Sequence, residues 1–122
     1  EPQSSHHDET VLEAQQWLQE NLGGPLAIPD LASHLGVSSR TLNRRFRQAT
    51  GFSPQAYLQS LRVAEGKDLL RHSNLPVSDI AWRVGLQDAS HFGRLFRQQV
   101  GMTPLRYRRA VRGKLFAPSE LE

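Results

Sequence analysis

Apolar residues recur at helical spacing along most of the chain, and the breaks between runs fall on glycine, proline and serine. In TVLEAQQWLQENLGG, Val11, Ala14, Leu18 and Leu22 share one face, with Trp17 beside them. Thr10 and Glu13 stand at capping-box spacing at its start, and Gly23, Gly24 and Pro25 close it. IPDLASHLGVSSRTLNRRFRQA predicts a short helix carrying Leu31, Ala32 and Leu35, a turn at Gly36, and a second helix capped by Ser38 or Ser39. A longer helix is expected from Ser53 and Pro54 to about His72, through Tyr57, Leu58, Leu61, Ala64, Leu69 and Leu70. At ~1.5 Å per residue it spans roughly 25–30 Å. VSDIAWRVGLQDASHFGRLFRQQ then repeats the rhythm of helix, turn and helix, with Asp88 as the expected second cap. TPLRYRRAVR makes a last short helix, and GKLFAPSELE shows no periodicity and reads as a tail.

The rhythm is a true repeat. Leu31, Ala32 and Gly36 return as Ile80, Ala81 and Gly85, and Leu42, Arg44, Phe46, Arg47, Gly51, Pro54 and Tyr57 return as Phe92, Arg94, Phe96, Arg97, Gly101, Pro104 and Tyr107. GFSPQAY and GMTPLRY thus punctuate both copies: a glycine for the left-handed position that ends one helix, then Ser53 or Thr103 to cap the next and a proline to open it. No segment alternates with period two. The expected fold is all-α, of about seven helices, with two helix-turn-helix subdomains joined by a long central helix. The expected divisions are a flexible N-terminal segment over 1–9, a first subdomain over 10–52, the linker helix over 53–72, a second subdomain over 73–112 and a tail over 113–122.

Charge sharpens this picture because it is unevenly placed. Glu1, Asp8, Glu9, Glu13, Glu20 and Asp30 lie in the first 39 residues, which hold no Lys or Arg. All 15 Lys and Arg residues lie between positions 40 and 114, against Glu65, Asp68, Asp79 and Asp88. That asymmetry favours a polyanion as the partner of the later segment. Within each copy the second helix separates into two faces. Leu42, Phe46 and Ala49 oppose Arg40, Asn43, Arg44 and Arg47; Phe92, Phe96 and Gln99 or Val100 oppose Ser90, Gly93, Arg94 and Arg97. A helix that fits the major groove needs donors outside and apolar anchors behind them. Arg44 and Arg94 suit guanine edges, Asn43 can pair bidentately with adenine, and Arg40 can read a base or clamp a phosphate. The helix starts at Ser53 and Thr103 offer N–H groups to phosphate beside each reading helix.

With these residues in view, the chain resembles the DNA-binding domain of the AraC/XylS family of bacterial transcription regulators over residues 11–109. The resemblance is carried by LASHLGVSSRTLNRRFRQATGFSPQAYL and DIAWRVGLQDASHFGRLFRQQVGMTPLRYRR. It implies seven helices in two subdomains joined by the long helix, with recognition helices in successive major grooves of DNA that is often bent, about one turn or roughly 34 Å apart. It implies base reading by Arg40, Asn43 and Arg44 in the first recognition helix and by Ala89, Ser90 and Arg94 in the second. Phosphate contacts are expected from Thr41, Arg47 and Ser53, and from His91, Arg97 and Thr103. The chain departs from the family at Ala89, which has no hydrogen-bonding group, and at Gly93, where members carry a small hydroxyl residue, so the second helix is expected to read less strictly. AQQWLQENL and SSRTLNRRFRQATGFSPQAYLQSLR further resemble members with an N-terminal amidotransferase-like domain. Promoter DNA and RNA polymerase are the implied partners, with dimerisation through a domain outside this sequence; a small stand-alone regulator is the other form the resemblance allows.

Other functions find little support in the residues. The chain has no cysteine, hence no disulfide framework or thiolate zinc site, and the cytoplasm is the expected compartment. No apolar run approaches the length of a membrane span. There is no nucleophile elbow, no phosphate-binding glycine motif and no recognisable pair of catalytic acids, so neither an enzyme nor a cofactor is expected. His6, His7 and Asp8 sit in a polar terminal segment without fixed geometry, so no metal site is expected there. Trp17 and Trp82 read as core or boundary filler. The rival to a DNA reader is a helical adaptor whose basic face docks on an acidic protein.

Overall fold

The computed structural model describes residues 8–120, and these contain seven helices and no strand. They are α1 (Glu9–Asn21), α2 (Ile28–His34), α3 (Ser39–Thr50), α4 (Pro54–His72), α5 (Val77–Arg83), α6 (Ala89–Val100) and α7 (Pro104–Glu120). Packing divides the chain into two compact units, one ending at Leu61 and the other beginning at Arg62, so the boundary falls inside α4. His6, His7 and most of the expected flexible segment lie outside the described residues.

In the first unit, α1 starts one residue earlier than Thr10, because Asp8 takes the cap: its Oδ1 accepts the Val11 N–H at 3.2 Å. Val11, Ala14 and Leu18 face inward and join Leu31, Ala32, Leu42, Phe46 and Leu58 in one buried cluster. Trp17, Leu35, Ala49 and Leu61 pack on its margin. The turn between α2 and α3 passes through Gly36 at φ 75°, and Ser38 caps α3 by accepting the Thr41 N–H at 3.0 Å. Gly51, at φ 84°, ends α3 with its N–H donated to the Arg47 carbonyl. Tyr57 then meets Phe46 edge to face, with centroids 5.2 Å apart.

The second unit is built on the same plan. Asp88 caps α6 by accepting the His91 N–H at 2.8 Å, and Gly101, at φ 94°, ends it. Ile80, Ala81, Val84, Leu86, Phe92, Phe96 and Tyr107 are buried, together with Val63 and Leu70 of α4. Phe96 and Tyr107 repeat the edge-to-face pair at 5.4 Å. In α4 the buried stripe of this unit runs through Arg62, Val63, Gly66 and Leu70, while Ala64, expected inward, is exposed. Gly66 is needed there for space, since a Cβ would lie 2.6 Å from Cζ of Phe92. Gly66→Ala gains about 1 kcal/mol of helix propensity but overpacks a filled core at about 1–3 kcal/mol, so a net loss, read as a lower melting temperature, is expected.

Two further expectations are corrected in this unit. Trp82 is not core filler but 69% exposed. On the two-turn α5, Ile80 and Ala81 take the inner side with the capping residue Val84, and Trp82 is left outside. The tail expected from 113 does not begin there, because α7 runs on to Glu120. Near its middle Arg108 donates to the carbonyls of Leu70 at 3.1 Å and Ser73 at 3.0 Å, and Arg112 donates to Ser73 at 2.9 Å. Both cations thus satisfy carbonyls left open where α4 ends, a position its dipole favours. Among the described residues, no helix is long and apolar enough to cross a membrane.

Candidate nucleic-acid interface

Each unit presents one helix whose inner side is fixed by two fully buried residues: Leu42 and Phe46 under α3, and Phe92 and Phe96 under α6. Spacing of four along the helix sets these anchors in line and turns the remaining residues outward. On α3 the outward residues Arg40, Asn43, Arg44 and Arg47 are all exposed. On α6 Ser90, His91, Arg94 and Arg97 are exposed, with Ala89 and Gly93 half-buried. Neither helix contains an acidic residue. Guanidinium and amide groups projecting from a rigid helix can make bidentate hydrogen bonds to base edges, and the flanking cations can neutralise phosphates.

The other expected phosphate ligands sit at caps. Ser53 Oγ accepts the Ala56 N–H at 3.1 Å, and Thr103 Oγ1 accepts the Arg106 N–H at 3.2 Å. Thr41 is half-buried and its Oγ1 accepts a hydrogen bond from Ser38 Oγ at 3.0 Å. In the second unit Ala89, Ser90, Gly93, Arg94, Arg97 and Thr103 come together along one open groove of about 680 Å³, which continues onto Leu105. His91 is not part of its lining.

One residue of α3 is withheld from the outward face. Arg45 lies on the flank, where its Nε and Nη2 donate to the two oxygens of Asp8, each at 2.8 Å. The sequence offered no signal for this bridge, whose partners are 37 positions apart. Burial opposes ionisation of Asp8, but the Arg45 guanidinium and the Val11 N–H outweigh it and hold the carboxyl below its ordinary value of 3.8. Its stabilising effect is therefore whole above that value and is lost as pH falls through the lower folded value. Asp8→Asn keeps a capping oxygen and removes the ion pair; since the Arg45 side chain is 33% exposed, about 1 kcal/mol is expected at neutral pH. Denaturant melts should show that difference shrinking as pH falls below the ordinary carboxylate value and the wild-type carboxyl takes up its own proton. Among the described residues, no group of three or more His, Asp or Glu side chains is placed to hold a metal ion.

A family model described as a helix-turn-helix domain matches residues 31–110. The chain is 34% identical over 102 residues to the transcriptional activator RhaS of Klebsiella pneumoniae (strain 342), covering 84% of this chain and 37% of that protein. It therefore spans little more than a third of the length of such curated relatives. The DNA-binding domain of the global transcriptional factor AdpA, solved in complex with a target DNA, superposes with a TM-score of 0.82 at 34% identity, over 85% of this chain and 94% of that one. A transcriptional regulator with an AraC-type DNA-binding domain from Chromobacterium violaceum gives a TM-score of 0.77 at 30% identity, over 82% and 89% of the two chains.

Proposed function

Because the chain belongs to the AraC family of helix-turn-helix DNA-binding domains, we propose that it binds double-stranded promoter DNA sequence-specifically through α3 and α6 and thereby regulates transcription. The observation that carries this reading is the duplicated outward face, free of acids in both helices and backed each time by a buried aromatic pair or its equivalent. Solvation alone would not require an arginine at matched positions 44 and 94, and again at 47 and 97.

In this reading Arg40, Asn43 and Arg44 read bases from α3, with Ser90 and Arg94 reading from α6 and Ala89 contributing only apolar contact. Arg47 and Arg97 clamp the phosphate backbone, joined by Thr41, His91 and the helix starts at Ser53 and Thr103. The longer protein to which such a domain belongs would act in the cytoplasm, recruit RNA polymerase, and take its effector response and dimerisation from a further domain. The resemblance of AQQWLQENL to its counterparts in certain regulators favours an amidotransferase-like fold for that domain.

The test is selection of random duplexes by this domain at physiological salt, with Arg44→Ala and Arg94→Ala in parallel. Two short enriched motifs are expected, one lost in each variant. Enrichment of no sequence, with equal binding to every duplex, would overturn the reading.

A further inference from the structure

The two outward faces keep the arginines at 44/94 and 47/97 and differ in chemistry at four other matched positions. Ser39, Arg40, Asn43 and Gln55 of the first copy correspond to Ala89, Ser90, Gly93 and Leu105 of the second, so three of four polar side chains give way to carbon or hydrogen. In the second unit this leaves an open groove of about 680 Å³ lined by Ala89, Gly93 and Leu105 together with Ser90, Arg94 and Arg97. Leu105 stands 52% exposed among the lining residues, a large apolar side chain left facing solvent. At Gly93 the space is open, since a Cβ would meet nothing within 4 Å.

We infer that this groove reads thymine by its 5-methyl group: Ala89, Gly93 and Leu105 receive the methyl while Arg94 holds an adjacent base edge and Arg97 the backbone. The inference rests on the reading of α6 as a helix that enters the major groove. It follows from what each base offers there. Thymine alone presents a methyl group, which apolar side chains can cover, beside its single O4 acceptor; at the same place the other bases offer no methyl for these apolar side chains to cover. The lining cations Arg94 and Arg97 complement the charge of the strand that carries the base, so a duplex, and not an apolar peptide, is the occupant favoured. The first unit thus reads by hydrogen bonds and the second largely by shape and methyl contact.

The experiment replaces thymine by deoxyuracil, one position at a time, throughout the duplex that the domain selects. This removes the methyl and leaves base pairing and every hydrogen-bonding group in place. At one or two thymines under α6 affinity should fall about fourfold, the worth of one buried methyl group. Gly93→Gln, which fills open space on the surface of the helix, should abolish that difference while the thymine and deoxyuracil duplexes bind alike. Intact binding to the first half-site and an unchanged melting temperature identify a folded variant. Selection of a specific site with no effect of deoxyuracil anywhere under α6 would overturn the inference and leave the DNA-binding reading standing, as would a deoxyuracil effect that survives Gly93→Gln. Failure to select any sequence would instead overturn the reading beneath it, and the inference with it.

Discussion

Phe46→Ala is expected to destabilise the first unit by about 3–5 kcal/mol, the usual cost of truncating a buried phenylalanine and leaving a cavity behind it. The side chain is fully buried, it lies among Leu18, Leu31, Leu42 and Leu58, and it receives the edge of Tyr57 at 5.2 Å. Neither α2 nor α3 can close over the gap without moving the other, because both contribute to the same cluster. A domain is stable by only about 5–15 kcal/mol, so the loss removes much of the margin. The measurement is a denaturant melt followed by far-UV circular dichroism. An unchanged midpoint would mean that the inner and outer faces of α3 have been exchanged.

Arg44→Ala, two residues away on the opposite face, is expected to leave that melt where it is and to weaken binding to the selected duplex by about 1–3 kcal/mol, or roughly five- to 150-fold. The side chain is exposed, so nothing in the fold depends on it. Preference at one base pair should relax at the same time, because a bidentate pair to a guanine edge is what distinguishes that base from the others. Arg47→Ala serves as the comparison. As a phosphate clamp it should lower affinity for all sequences alike and reduce the salt dependence by about one charge. Competition titrations against random duplex separate the two outcomes: an equal loss on specific and random DNA after Arg44→Ala would reassign Arg44 to the backbone.

The two faces of α3 and α6 were legible in the sequence because the same aromatic and cationic spacing is written twice, and each copy checks the register of the other. The turns were legible for a similar reason: Gly36, Gly51, Gly85 and Gly101 all adopt positive φ, which few other residues do without strain. What escaped the sequence was contact between distant positions. Nothing near Asp8 announces Arg45, and nothing near Gly66 announces the Phe92 ring that requires its missing Cβ. The exposure of Trp82 is not written in the sequence, because a two-turn helix gives too few apolar positions to fix its inner side and the size of the side chain alone suggests burial. Extending the apolar stripe of α4 places Ala64 inward, whereas the second unit takes Arg62 and Gly66 into its packed side. The groove beside α6 depends on small residues, whose effect lies in the room they leave, and room is not written in any one of them.

The unequal settings of the two tryptophans have a practical consequence. Trp17 is half-buried on the first unit's core, its ring centroid 5.9 Å from that of His34, so its emission depends on the native packing. Trp82 stands 69% in solvent and should already emit, in the native state, much as a hydrated indole does. Tryptophan fluorescence will therefore follow the first unit and be nearly blind to the second, and a chain whose second unit had melted alone would still look folded to a fluorimeter.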